Sequence, residues 1–327
     1  MPAIYRDSDA DLSALLGQRV AVVGYGNQGR SWALNLRDSG LDVHVCVRAD
    51  ASRAQAAADG FAVAEIAASS AVDVVCILVP DDVIPSLPIT RPSSGLTIVA
   101  SGYTLAFQRF DPAGDVAMIA PRMLGPEVRR CYVEGGGFIS AVGIHRDVTR
   151  TAHSRTLALA RALGALRQGA IEMTPKQEAV LDLAVEQVLS PALAHVNLSF
   201  VTAMMEQGIP MEAILSELYL SGEVERTYRL LREVGFAAQL DLHSPASQYG
   251  QLSRRGAYDA LDLLPRMRAL VADIESGRFA DEWDAESRSG YPRLQELKQQ
   301  FAGPLIRQFE AELRSKLGAG KSPPAEP

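Results

Sequence analysis

The 327-residue sequence predicts an α/β amino-terminal half, built on a doubly wound parallel sheet, followed by an all-α carboxy-terminal half. Three observations predict it. Val20 to Val23 is a run of four apolar residues, three of them β-branched, that leads into three closely spaced glycines. Short apolar runs of the same kind recur between helical stretches up to residue 173, as strands alternating with helices do. From Thr174 onward the apolar period is helical and no strand pattern returns. The expected organisation is therefore an α/β domain over 1–173, an all-helical domain over 174–317, and a tail over 318–327. That tail, GAGKSPPAEP in its last ten residues, is too polar and Pro-rich to pack and is expected to be disordered.

Each element follows from local chemistry. Residues 9–16 read as a short helix ended by Gly17. After the apolar run, Gly24, Gly26 and Gly29 fall at the spacing G-x-G-x-x-G, and a helix is expected over 31–37. In such a turn the first glycine permits the bend, the second lets backbone approach a pyrophosphate, and the third lets helix and strand pack closely. The helix amino-terminus presents unpaired N–H groups to the anion. Glycines also mark ordinary turns. Here a strand precedes the loop and a second strand, 42–48, follows the helix, which favours a dinucleotide site.

That second strand ends where such a fold holds the adenosine ribose, and the residues there conflict. Asp50 suits a free 2′-hydroxyl, as in NAD, whereas Arg48, Ser52 and Arg53 suit a 2′-phosphate. The number of basic groups tilts the expectation to NADPH, with NADH as the alternative; a solvated turn is the bland reading. A helix over 54–60 and a third strand over 72–79 lead to Val79, Pro80 and Asp81, expected at the cofactor cleft. Strands over 95–100, 116–119 and 138–144 and a helix over 151–163 complete the half. The first of these gives way to Ser101, Gly102 and Tyr103, and the second to Ala120, Pro121 and Arg122.

Thr174-Pro175-Lys176-Gln177 is a helix start, with Thr as cap, Pro at the first helical position and Gln completing a capping box. Further helices are expected over 212–234, 257–276 and 292–317. On the first helix Asp182 and Glu186 stand four apart, on one face, where like charges disfavour an isolated helix. Their apolar neighbours leave little face for water, so the helix is expected to be buried on most sides. A buried carboxylate pair needs a basic partner, a proton or a cation such as Mg²⁺. The alternative places both acids with Glu178 on a narrow solvated stripe.

Composition removes several function classes. A formal charge of −7 with no basic block excludes a nucleic-acid footprint. Cys46, Cys76 and Cys131 are scattered and odd in number, which reads as free thiols in a reducing compartment. The first residues, MPAIYRDSDADLSALLGQ, contain no apolar signal core, and no apolar run reaches 18 residues, so neither secretion nor a membrane partner is expected and a cytoplasmic location is. The five histidines lack ligand spacing; only His243, beside Ser244, is a candidate for a substrate pocket.

Taken together, GYGNQG with the following LNLRDSG, Ala120-Pro121-Arg122, the segment from Val128 to Gly137, Asp182 to Gln187, Glu223, and Ser244 with Tyr249-Gly250 resemble ketol-acid reductoisomerase in order and nearly in spacing. The similarity covers about residues 15–315. It implies a Rossmann domain plus a helical domain, NADPH, two Mg²⁺ ions, and helical domains of two subunits that interlock as a homodimer. The reaction it implies is a metal-assisted alkyl migration in a 2-hydroxy-2-alkyl-3-keto acid followed by hydride reduction. Within the glycine loop it extends cofactor contact to Tyr25, Asn27 and Gln28, and Ser101 and Gly102 fall at the nicotinamide end. Asp182 and Glu186 match the family's first two metal ligands, Glu223 its last, and Ser244 a serine that contacts substrate.

Three positions depart from the family. Its other carboxylate on the second helix falls on Tyr219, its active-site histidine on Ser101, and its lysine after Ala-Pro on Arg122, which donates no proton at ordinary pH. The expected function is therefore an NAD(P)H-dependent reductase of a small 2-keto acid or imine, with one Mg²⁺ and the alkyl migration impaired or exchanged. A genuine reductoisomerase is the second reading, and a non-catalytic cofactor-binding subunit or sensor is the third.

Overall fold

The structure, a computed structural model, describes residues 1–301 and 304–317. It divides into two compact units, Met1–Leu183 and the remainder from Ala184. The first unit carries one nine-stranded sheet. In chain order its elements are β1 (Ile4–Tyr5), β2 (Arg19–Val23), α1 (Asn27–Asp38), β3 (Asp42–Cys46), α2 (Ala51–Ala58) and β4 (Ala62–Ala64), then β5 (Val74–Ile77), β6 (Leu96–Val99), α3 (Tyr103–Ala106), β7 (Asp115–Pro121), α4 (Gly125–Val133), β8 (Ser140–Arg146), α5 (Ala152–Leu163) and β9 (Ala170–Glu172).

The strand order is β1-β9-β8-β7-β6-β5-β2-β3-β4. From β2 the chain runs outward through β3 and β4, then returns to the other side of β2 for β5, β6 and β7, all parallel. The reversal lies between β2 and β5, and a crevice opens outside the carboxyl ends of strands at such a point. The sheet is mixed rather than wholly parallel, because β8 turns back antiparallel to β7 and β1 pairs antiparallel with β9. Both faces of the central strands are covered: Val20, Val22, Val74 and Ile98 pack in one apolar cluster with Trp32 and Leu36 of α1 and Leu159 and Leu163 of α5. Ala21, Val23, Val75 and Ile77 face the other side. Burial on both faces explains why these strands read as continuous apolar runs rather than alternating ones.

The remaining helices are α6 (Pro175–Ala184), α7 (Ser190–Glu206), α8 (Met211–Leu215), α9 (Glu223–Val234), α10 (Phe236–Leu240), α11 (Pro245–Arg254), α12 (Leu263–Ser276), α13 (Arg278–Arg288), α14 (Pro292–Phe301) and α15 (Pro304–Leu317). The Thr174 capping box is formed: Thr174 N–H donates to Gln177 Oε1 at 2.9 Å and Gln177 N–H to Thr174 Oγ1 at 3.2 Å. Residues 7–15 form two short 3₁₀ turns instead of one helix. The stretch 212–234 is not one helix either. A π-helical segment, Ser216–Leu220, follows α8, and Gly222 in the left-handed region (φ 80°) restarts the helix at Glu223. A second π segment, Val185–Leu189, separates α6 from α7. Asp262, also left-handed, splits 257–276, and the helix expected over 292–317 is observed as α14 and α15. The tail 318–327 lies outside the described residues.

The helix bearing Asp182 and Glu186 is not buried on most sides. Leu181, Val185 and Leu189 are each more than 40% exposed, and in α6 only Pro175, Glu178 and Ala179 are buried.

Candidate active site

Two features of the first unit define the site. The glycine loop between β2 and α1 is built for an anion. A Cβ on Gly24 would lie 2.5 Å from the Leu78 carbonyl oxygen, and one on Gly29 would lie 2.2 Å from that of Gly24, so both positions require glycine. Gly26, at the N-cap of α1, has open space where a Cβ would stand. The loop therefore presses against the carboxyl end of β5 and leaves the α1 N–H groups accessible above Gly26, a cradle that fits a pyrophosphate. A cavity of about 240 Å³ runs from it, lined by Gly24, Tyr25, Gly26, Val47, Arg48, Asp50, Ser52, Ile66, Leu78, Val79 and Pro80. A neighbouring cavity of about 480 Å³ shares Arg48, Ile66, Val79 and Pro80 and adds Val83 and Leu87, apolar walls of the kind that enclose an aromatic base. The Tyr25 hydroxyl is turned to Asp59, at 2.9 Å, and burial together with that carboxylate raises its pKa.

The second feature is an acid cluster around Arg122, at the carboxyl end of β7. One guanidinium nitrogen, Nη1, donates to Glu178 Oε1 at 2.6 Å and the other, Nη2, to Asp182 Oδ1 at 2.9 Å. The second oxygen of Glu178 accepts the Gly102 N–H at 2.7 Å, tying the loop after β6 to the first turn of α6. Gly102 sits so close to α6 that a Cβ there would fall 2.1 Å from the Pro175 carbonyl oxygen. The Glu178 side chain is 2% exposed, Arg122 27% and Asp182 46%, so the cluster is anchored at one acid and open at the other. Burial, the dominant cause, raises the Glu178 pKa despite the Gly102 bond and the Arg122 charge. Asp81 belongs here too: burial first, then the charges of Glu178, Asp182 and Asp82, push its carboxyl up to about 7.

The two features are joined. Gln28 Nε2, in the first turn of α1, donates to the Met123 carbonyl at 3.0 Å, and a Cβ on Gly125 would strike the Asn27 backbone at 2.3 Å. The loop carrying Arg122 is thus packed onto the glycine loop's helix. Ser101, between them in sequence, accepts the Tyr103 N–H at 3.1 Å.

The other expected residues are in the second unit. Glu186 lies in the π segment Val185–Leu189 and Tyr219 in the π segment Ser216–Leu220; such segments insert an extra residue into a helix and are frequent at functional sites. Glu223 is in the first turn of α9, and both it and Glu186 are exposed in the single chain. Ser244 caps α11, accepting the Ser247 N–H at 3.3 Å, and His243 faces Gln239. Among the described residues, no three His, Cys, Asp or Glu side chains of one chain are grouped to hold a metal ion. Asp182, Glu186 and Glu223 offer the hard oxygen donors that Mg²⁺ takes.

Sequence reasoning missed Glu178 and Asp81 as members of the acid cluster. Glu178 stands one turn before Asp182, the same spacing that sets Asp182 and Glu186 together, and in sequence it enters only the alternative of a solvated stripe.

Comparison with known proteins gives these features a common origin. Residues 14–169 match the family model described as acetohydroxy acid isomeroreductase, NADPH-binding domain, and residues 176–318 match ketol-acid reductoisomerase, C-terminal domain. A ketol-acid reductoisomerase (NADP(+)) of Caldivirga maquilingensis is 36% identical over 98% of this chain and 100% of its own length. One from Saccharolobus solfataricus is 34% identical over 97% of each. The solved structure of an NADH-preferring ketol-acid reductoisomerase from an uncultured archean superposes with a TM-score of 0.87 at 28% identity, covering 96% of this chain and 98% of that one. The chain belongs to the ketol-acid reductoisomerase family and is an NAD(P)H-dependent oxidoreductase of that type.

Proposed function

We propose that the chain reduces a small 2-keto acid, or the corresponding imine, with NAD(P)H, and that it has lost the alkyl migration for which its relatives are named. The observation that carries this reading is the fork of Arg122. A guanidinium stays protonated at every working pH, and both terminal nitrogens of this one are committed to Glu178 and Asp182. Migration begins with loss of the proton from a tertiary hydroxyl and develops negative charge on two adjacent oxygens. Arg122 neither takes up that proton nor is free to leave its two acids.

Reduction asks less of the protein. A bound nicotinamide would supply hydride to the carbonyl carbon, and the protein must then provide a proton for the carbonyl oxygen. Asp81, whose carboxyl titrates near neutrality, is the group in the cluster suited to hold and release that proton. Glu178 fixes Arg122 and, through Gly102, the loop after β6, so that the Asp182 carboxylate is presented in one orientation. In this reading Asp182 and Glu186 of one chain, with Glu223 of a second copy, would hold one Mg²⁺. That ion would supply Lewis-acid polarisation of the substrate carbonyl. Tyr219 and Ser244 would line the substrate side, in a soluble, cytoplasmic homodimer.

The steps separate experimentally. The full-length protein with Mg²⁺ and NADH or NADPH is offered 2-acetolactate, which must migrate before reduction, and 3-hydroxy-3-methyl-2-oxobutanoate, which needs reduction alone. Nicotinamide oxidation with the second substrate and none with the first is the expected result. Rapid formation of 2,3-dihydroxyisovalerate from 2-acetolactate would establish the second reading, a genuine reductoisomerase, which the full-length similarity to the curated relatives favours. Tight cofactor binding with no oxidation by any 2-keto acid or imine would instead mark a non-catalytic subunit.

A further inference from the structure

We propose that Asp50 and Glu65 set this chain to take NADH in preference to NADPH. The proposal rests on the glycine-loop cavity being the dinucleotide site. Of the four polar residues that follow β3, Arg48, Asp50 and Ser52 line that cavity, at the end where the adenosine ribose of a dinucleotide lies. Arg53 does not line that cavity. Its Nη2 donates to Glu65 Oε1 at 2.5 Å, in the loop that follows β4 and at the lining of the neighbouring cavity.

The groups that remain suit a diol better than a phosphate. Asp50 Oδ1 accepts the Ser52 N–H at 3.0 Å and also the Ser52 hydroxyl proton, so that hydroxyl is not free to donate to a 2′-phosphate. These donors, the largest influence on it, hold the Asp50 carboxyl below its ordinary range, and it is an anion at any working pH. Asp50 Oδ2 lies 3.7 Å from Arg48 Nε, partly cancelling the one cation that lines the cavity among the described residues. A 2′-phosphate entering there would meet one carboxylate for each guanidinium. A 2′-hydroxyl would meet an acceptor. Arg48 also lines the neighbouring apolar cavity and is 79% exposed, which leaves its planar face free to stack on a base.

Binding rather than turnover tests this. The full-length protein is titrated separately with NADH and NADPH, reading nicotinamide fluorescence, and each complex is checked by thermal shift. NADH should bind at least about tenfold more tightly, the scale of one unfavourable charge contact at a semi-exposed site. Asp50→Ser keeps the α2 helix cap, since serine caps as well as aspartate, and should move the NADH-to-NADPH ratio toward NADPH by about tenfold or more. Glu65→Gln frees Arg53 and should move the NADH-to-NADPH ratio a few-fold toward NADPH. A wild type that binds NADPH more tightly, or a ratio unmoved by Asp50→Ser, overturns the proposal. Binding of neither nucleotide overturns the assignment of the cavity itself, which a reversed preference would leave intact.

Discussion

At the scale of single residues, the acid cluster is decided by which carboxylate meets a cation and which does not. Glu178 has a backbone N–H and half of a guanidinium; Asp182 has the other half and is open to solvent. Asp81 is raised to about 7 by burial and by three neighbouring acids. That has a consequence with a definite sign. In the unfolded chain Asp81 loses its proton near the ordinary carboxyl value of 3.8, whereas in the native protein it keeps it to about 7. Between those values the native state binds the extra proton, so its stability falls as pH rises through the window and levels off above it. Asp81→Asn removes this dependence. In metal-free protein the variant should melt higher than wild type at pH 8, by about 1–3 kcal/mol of stability, and the gap should shrink toward pH 5. A gap that stays constant across the range would show that Asp81 does not titrate there.

At the scale of elements, the site is a set of loops at the carboxyl ends of β2, β5, β6 and β7, locked together by glycines that have different jobs. Gly102 is there for packing: a methyl group at that position collides with the Pro175 backbone, which cannot move without lifting α6 and Glu178. Gly26 differs, since no atom of the described residues other than its own chain neighbours lies within 4 Å of where its Cβ would stand, and in our reading that open side faces the pyrophosphate. Gly102→Ala should therefore lower stability by about 1–3 kcal/mol, the usual cost of overpacking a tight contact, seen as a drop in melting temperature. Gly26→Ala should leave the melting temperature of the free protein unchanged and weaken nicotinamide binding, because the added methyl points at the pyrophosphate. The same effect from both substitutions would mean that the loop is structural throughout. The glycine loop, its flanking strands and the Thr174 cap were legible in sequence because each is a local pattern with a local cause. β1, β4 and β9 were not, since strands of two or three residues are too short to show a period and exist through their sheet partners. The π segments and the break at Gly222 were read as continuous helix, because the 3.6-residue period tolerates one inserted residue. Arg122 was legible only through resemblance, whereas Asp182 was legible from its spacing to Glu186; their ion pair joins positions 60 apart in the chain, which no local pattern reports.

At the scale of the whole molecule, the second unit has too much exposed apolar surface to be the end state of the chain. Leu189, Leu193, Val196 and Phe200 recur every three or four residues along one helical face, and each is more than 40% exposed. α7 buries none of its side chains. The helical stretch Pro175–Glu206 is long and apolar enough to cross a membrane by length and composition alone, yet its amino-terminal turns carry Glu178, tied to Arg122 and Gly102 in the loops that follow β7 and β6. A seam with this spacing is what helices bury against one another, and an obligate interface resembles a domain core cut in half. We expect the seam to be covered by a second copy of the chain. Light scattering at micromolar concentration should then give twice the 35.1 kDa mass of one chain, with no dissociation on dilution. Val196→Glu places a charge in the middle of the stripe and should yield monomer or aggregate, with loss of reductase activity, because Glu223 would no longer reach the other subunit's Asp182 and Glu186. Nicotinamide binding should survive in any monomer that folds, since the glycine-loop cavity is lined by the first unit alone. A wild-type protein that runs as a soluble monomer, or that partitions into phospholipid vesicles, would refute the dimer and with it the shared metal site.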